Sequence, residues 1–135
     1  VTLFDDYAAY HRDPRNRLCH EIGIPLIVLS AEAMLRHVAV GPTNLAQLAT
    51  LLVMCYYIRI AGRAALPALV GLVVLELAAL FVPLPVAVGL FVIGWILQFV
   101  GHAYEGRKPA FLTNLTHLLI GPLWIAHVAV QRRPS

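Results

Sequence analysis

The stretch AALPALVGLVVLELAALFVPLPVAVGLFVIGWILQFV, from Ala64 to Val100, decides the architecture. Its 37 residues carry a single charge, Glu76. A helix crossing a hydrocarbon layer of about 30 Å takes roughly 20 residues, so this run holds two passes. The break falls at Val82-Pro83-Leu84-Pro85, because two prolines two apart cannot continue a helix. Spans are therefore expected at about 64–82 and 86–101.

Two further passes precede this run. Leu45 to Ile60 is apolar, entered from Pro42-Thr43-Asn44 and left at Arg59 and Arg63. An earlier one begins near Ile22 and fades around Arg36 to Val38, with Glu32 inside it. Ser30-Ala31-Glu32-Ala33 imitates a cleavage site, but the polar segment ahead of Ile22 does not suit a signal peptide. After the fourth pass, residues 115–130 are apolar but interrupted by Gly121-Pro122, and they contain His117 and His127. The expected fold is all-α: one integral membrane domain over 1–135, with four transmembrane helices and a broken C-terminal interfacial or re-entrant helix.

Composition agrees. The AVILMFWYC set makes up 60% of the 135 residues and charged residues 13%, with mean hydropathy +0.78. A soluble domain carries about 25% charged residues, roughly twice as many. The net charge of +3 comes from Lys and Arg scattered singly and in pairs, with no basic stripe of interleaved aromatics. Nucleic acid is therefore excluded as a partner. Cys19 and Cys55 form no CxxC pair and read as reduced thiols.

The arginines set the orientation. With the N-terminus cytoplasmic, Arg12, Arg15, Arg17, Arg59, Arg63, Arg107 and Lys108 lie inside and only Arg36 outside, a strong positive-inside bias. The Ala- and Arg-rich composition points to a bacterial inner membrane, or to the endoplasmic reticulum in a eukaryote. An even number of passes also returns the chain to its starting face. The polar segments before the first pass and after the fourth therefore meet.

Those two segments hold the unusual residues. In the first, Asp13-Pro14 reads as an N-cap followed by a first-turn proline. A helix starting there sets Asn16 and His20 one turn apart on one face. His11 precedes the break, and the proline lets it fold back beside His20. In the second, Gln98, His102 and Glu105 follow i, i+4, i+7 spacing, so one stripe of the fourth helix is polar where it leaves the bilayer. Gly106 then ends the helix, and Pro109 prevents its resumption.

His11, His20, His102 and Glu105 form a metal constellation that suits iron, manganese or zinc, and the lack of thiolates argues against structural zinc. Asn16 and Gln98 are natural supports for the imidazoles. His117 follows closely enough to approach the site. The alternative is a set of interfacial histidines bonded to lipid phosphate or backbone. His37 and His127 fit that reading better. Glu32 and Glu76 are intramembrane carboxylates, either functional or paired within the bundle. Tyr7, Tyr10, Trp95, Tyr104 and Trp124 read as interfacial anchors.

Taken together, Tyr10-His11-x-x-Pro14-x-Asn16-x-x-x-His20-x-x-Gly23-x-Pro25 and Trp95-x-x-Gln98-Phe99-x-Gly101-His102-x-x-Glu105-x-x-x-Pro109-Ala110 resemble a family of small membrane proteins. That family includes the fungal endoplasmic-reticulum 2-hydroxy fatty acid dioxygenase and many bacterial relatives. The resemblance covers nearly the whole chain. It implies an Fe(II)-dependent dioxygenase of fatty acid α-oxidation, which takes O2 and a long-chain 2-hydroxy fatty acid from the membrane and returns an acid one carbon shorter. By position, His11, His20 and His102 become the expected iron ligands, and Glu105 a ligand or the support of one. Arg15, Arg17, Arg107 or Lys108 would hold the substrate carboxylate. Around Ile120-Gly121-Pro122-Leu123-Trp124 the chain departs from relatives that show Ala-Pro-Phe followed by an acid, and it has His127 nearby instead. A non-catalytic metal-binding or metal-transport bundle is the alternative. A transporter, however, needs polar residues at several depths, and the spans offer only Glu32 and Glu76.

Overall fold

A computed structural model describes residues 2–106, 108 and 116–131. Among these the fold is all-α apart from one pair of two-residue strands. Helix α1 spans Thr2–Ala9, in a segment where no helix is expected from the sequence. Helix α2 spans Pro14–Leu35. As the Asp13-Pro14 pair predicts, Asp13 caps it, accepting the Arg15 N–H at 2.8 Å. The helix thus begins well before Ile22, and its first two turns carry Asn16 and His20 on the same rod as the apolar span.

A tight turn follows, in which β1 (Ala39–Val40) pairs antiparallel with β2 (Thr43–Asn44) around Gly41 at φ +58°. Asn44 caps α3 (Leu45–Ala61), taking the Gln47 N–H at 3.0 Å. Gly62, at φ +56°, ends α3 and opens a short 3-10 turn, Gly62–Ala65. Helix α4 (Leu66–Ala79) then returns beside α3. Glu76, Leu77 and Leu80 from its far end share a pocket with Asn44, Gln47 and Thr50 from the start of α3. Helix α5 (Leu84–Glu105) starts after the expected Val82–Pro85 break and stops at Gly106 in the left-handed region.

Three stretches are long and apolar enough to cross a membrane: Pro14–Leu35, the folded-back Leu45–Ala79, and Leu84–Glu105. Large apolar side chains such as Leu52 and Phe81 face outward at 70% and 86% exposure. That outward apolar belt is what a bilayer requires.

Helix α6 (Thr116–Gln131) corrects the expectation of a broken C-terminal segment, since it runs through Gly121 and Pro122 without interruption. The lost backbone bond costs about 3 kcal/mol. Close packing of the buried Ile120, Leu123 and Trp124 around the proline opposes this loss. In the same turn the Tyr57 hydroxyl donates to the Leu119 carbonyl. Packed against α1, α2 and α4, α6 is a member of the bundle.

The closest pair is α2 with α5. Glycines allow the approach: a Cβ on Gly94 would lie 2.7 Å from Ile27 Cγ1, and one on Gly101 would collide with Asn16 and Cys19. Small residues at such contacts are how helices pack where no hydrophobic drive separates them from lipid. On the other side of α2, Tyr57, Ala65, Ala68, Leu72 and Leu123 form a core shared by α3, α4 and α6.

Candidate metal centre

Three helical elements converge at one end of the α2–α5 pair. His11 follows α1 just before the Asp13-Pro14 break, His20 stands in the second turn of α2, and His102 in the last turn of α5. Their rings sit edge to face with centroids 4.3 Å (His11–His20), 5.1 Å (His11–His102) and 4.8 Å (His20–His102) apart. One nitrogen from each lies within 4.8 Å of the other two. All three are buried, at 1%, 2% and 4% exposure.

Backbone carbonyls fix two of the rings. His11 Nδ1 donates to the Tyr7 carbonyl at 2.7 Å, and His20 Nδ1 to that of Asn16 at 3.0 Å. Pinning Nδ1–H leaves Nε2 with its lone pair, the arrangement of a metal-binding imidazole. His11 Nε2 and His102 Nδ1 are buried with no protein partner. Buried polar atoms are nearly always satisfied, so this donor set fits a metal ion.

Burial, only partly opposed by the Tyr7 bond, lowers the His11 imidazole from 6.5 to about 4. It is therefore neutral at pH 7, as a ligand must be. Because the folded chain binds fewer protons than the unfolded chain between these two values, the metal-free protein loses stability as pH falls from about 6.5 to about 4. The loss reaches about 3 kcal/mol. Thermal melts across that range should show the slope, and His11→Phe should reduce it, the buried His20 and His102 retaining the rest.

Glu105 is placed differently from a ligand. Its Oε1 accepts the Arg12 N–H at 2.9 Å, and its Oε2 accepts the Asp13 N–H at 2.7 Å and Asn16 Nδ2 at 3.2 Å. It straps the turn between α1 and α2 to the end of α5. Asn16 also donates to the Tyr10 carbonyl at 3.0 Å. Its side chain therefore secures that turn, while its carbonyl anchors His20. Gln98 is buried one turn before His102, its Nε2 without a partner. His117 stays outside the trio, its ring 5.9 Å from Tyr7 and 5.7 Å from Tyr10.

The basic residues are also sorted by their contacts. Arg15 is bound to Asp13 at 3.0 Å and lies over the Tyr104 ring. Arg17 donates from Nε to the His11 carbonyl at 2.6 Å and lies over Trp124. Lys108 is exposed, and Arg107 lies outside the described residues.

Tyr7 is the contributor that sequence reasoning set aside as an interfacial anchor. It is buried, stacks on His11 at 4.2 Å and supplies the carbonyl that holds it. The signal was its position four residues ahead of His11, one helical turn. Burial raises its phenol above the ordinary value, so it remains protonated. Trp124, likewise read as an anchor, packs against Tyr7 and His11. His127, by contrast, stacks on Phe4 at 4.6 Å, away from the site.

From the histidines a groove of about 260 Å³ runs into the bundle. It is lined chiefly by residues of α2, α3, α5 and α6, and its walls are almost wholly apolar.

A buried three-imidazole cluster compatible with metal binding lies at the end of an apolar groove, in a helical bundle with a lipid-compatible surface. The particular family follows from comparison with known proteins. The family described as "2-hydroxy-palmitic acid dioxygenase Mpo1-like" matches residues 1–133. The chain is 36% identical over 126 residues to the 2-hydroxy-palmitic acid dioxygenase MPO1 of Saccharomyces cerevisiae, across 88% of this chain and 72% of that protein. No solved structure matches it. The chain belongs to the Mpo1-like family.

Proposed function

We propose that this chain is an Fe(II)-dependent dioxygenase that shortens long-chain 2-hydroxy fatty acids by one carbon. The observation that carries this reading is the cluster of His11, His20 and His102 with unpartnered nitrogens at the end of an apolar groove, in a chain related to a 2-hydroxy-palmitic acid dioxygenase. The overall change is R–CH(OH)–COOH + O2 → R–COOH + CO2 + H2O. The bond between C1 and C2 breaks, C2 rises from alcohol to carboxyl level, and O2 accepts all four electrons, so no co-reductant is consumed.

Bound ferrous iron supplies the reaction with O2. The chain does the rest. His11, His20 and His102 hold the metal, with the Tyr7 and Asn16 carbonyls fixing two of the rings. Tyr7 and Trp124 keep water from their outer side. Among the basic residues Arg17 is assigned to the substrate carboxylate, a role supported by its bond to the His11 carbonyl, while Arg15 is engaged by Asp13. On this reading the chain crosses the membrane four times, with α3 and α4 counted separately, and the site and N-terminus share the cytoplasmic face, which the distribution of Arg and Lys supports. There a hydroxy acid lies with its carboxylate at headgroup depth.

The test is anaerobic purification, metal analysis, and reconstitution in liposomes with 1-labelled 2-hydroxy fatty acid and O2. The expected result is near-stoichiometric iron and equal amounts of shortened acid and labelled CO2. Full iron with no shortened product at any chain length would leave a metal-binding bundle without this reaction.

A further inference from the structure

The groove ends on a polar pair. Along α2 it passes Ile24, Val28, Ala31 and Leu35, faced by Ala49 and Val53 of α3. From His20 to Glu32 is about 18 Å of helix, comparable with a long extended acyl chain. At the far end Thr50 Oγ1 donates to Glu32 Oε1 at 3.1 Å, and both side chains are buried, at 6% exposure each. Glu32, Thr50 and Ala46 border this groove and also a second pocket, lined by Arg36, Gln47 and Glu76. The Glu32–Thr50 pair is thus a partition, with an apolar compartment on the histidine side and a polar one beyond.

We infer that the groove holds the acyl tail of the substrate, and that the distance from the three histidines to the Glu32–Thr50 pair sets the chain length accepted. This rests on the reading of the site as a hydroxy acid site. A methylene that moves from lipid into an apolar channel exchanges one hydrocarbon surrounding for another and changes affinity little. A methylene pushed against the carboxyl and hydroxyl of the partition is penalised, because it would have to desolvate them. Affinity for acids dissolved in the membrane should therefore stay nearly level with length until the tail reaches Glu32, then fall. The lining alanines leave the channel its width, so a bulky side chain at either wall moves the end stop towards the histidines.

The probes are 2-hydroxy fatty acids of stepped length carrying a diazirine on the terminal carbon, photolysed with the iron-loaded protein in lipid nanodiscs. Peptide mapping should find adducts at residues 31–35 and 46–50. Competition by unlabelled acids, compared at equal concentration in the lipid, should be nearly level with length up to a break and weaken beyond it. Ala49→Phe on α3 and Ala31→Leu on α2, each checked for retained iron, should both move the break to shorter chains. Adducts concentrated on outward-facing Leu52, Leu77 or Phe81 would overturn the inference. So would a break that neither variant moves. Photolysis needs no turnover, so a failure of the oxidation reading shows as tunnel adducts without shortened acid, a distinct result.

Discussion

His20→Ala and His102→Ala are each expected to remove the bound metal and to lower shortened-acid yield by at least about a hundredfold, since even loss of a group supporting a ligand costs 10- to 100-fold. Each imidazole is one of three donors in a buried cluster, and two nitrogens hold an ion far less tightly than three. The helices should survive. The close approach of α2 and α5 rests on Gly23, Gly94 and Gly101, so loss of the His20–His102 ring contact leaves it in place. Elemental analysis and circular dichroism on the same preparation separate the two effects. His117→Ala is the control, since His117 stands outside the trio and should leave metal content near that of the parent chain. Full metal occupancy in His20→Ala and His102→Ala would refute the ligand assignment.

The second large effect concerns Glu105. Glu105→Ala removes the acceptor for two backbone N–H groups and for Asn16. Bonds to a charged acceptor contribute about 1.5–3 kcal/mol each, so a loss of about 2–4 kcal/mol is expected once solvent replaces part of the set. The turn that presents His11 is then released, and metal affinity should fall about 10- to 100-fold. Glu105→Gln keeps an oxygen for one of the N–H groups and should recover part of both stability and affinity. Were Glu105 itself a ligand, the Gln variant would lose metal as fully as the Ala variant, and its melting temperature would hardly move. Thermal melts and metal titrations of the pair distinguish the two roles.

Much of this was legible in the residues. The break at Val82–Pro85, the Asp13-Pro14 helix start and the Gly106 stop are backbone chemistry, set by ring closure, a capping carboxylate and a left-handed φ. The return of His11 to His20 could be read because a proline break is the device that permits it. What could not be read depended on partners remote in sequence. Pro122 normally ends a helix. It does not here because Tyr57 and the surroundings of Ile120 and Trp124 compensate, and no local pattern reveals that. Tyr7 resembles any aromatic near a membrane surface until His11 is seen stacked on it. Asn16 and Glu105 were recognisable as site residues by spacing. That their side chains bond to each other rather than to the imidazoles depends on how closely α2 approaches α5, which glycines decide in three dimensions.

The ligand set divides the chain unevenly, with two donors in the first twenty residues and the third at His102. During synthesis His11 and His20 emerge early, yet the site gains its third imidazole only after the α4–α5 hairpin has been inserted and α5 has closed against α2. A nascent chain stalled before that point offers at most a two-nitrogen site. On the proposed reading, metal loading therefore waits for α5 to close on α2, and it reports that this pair has assembled.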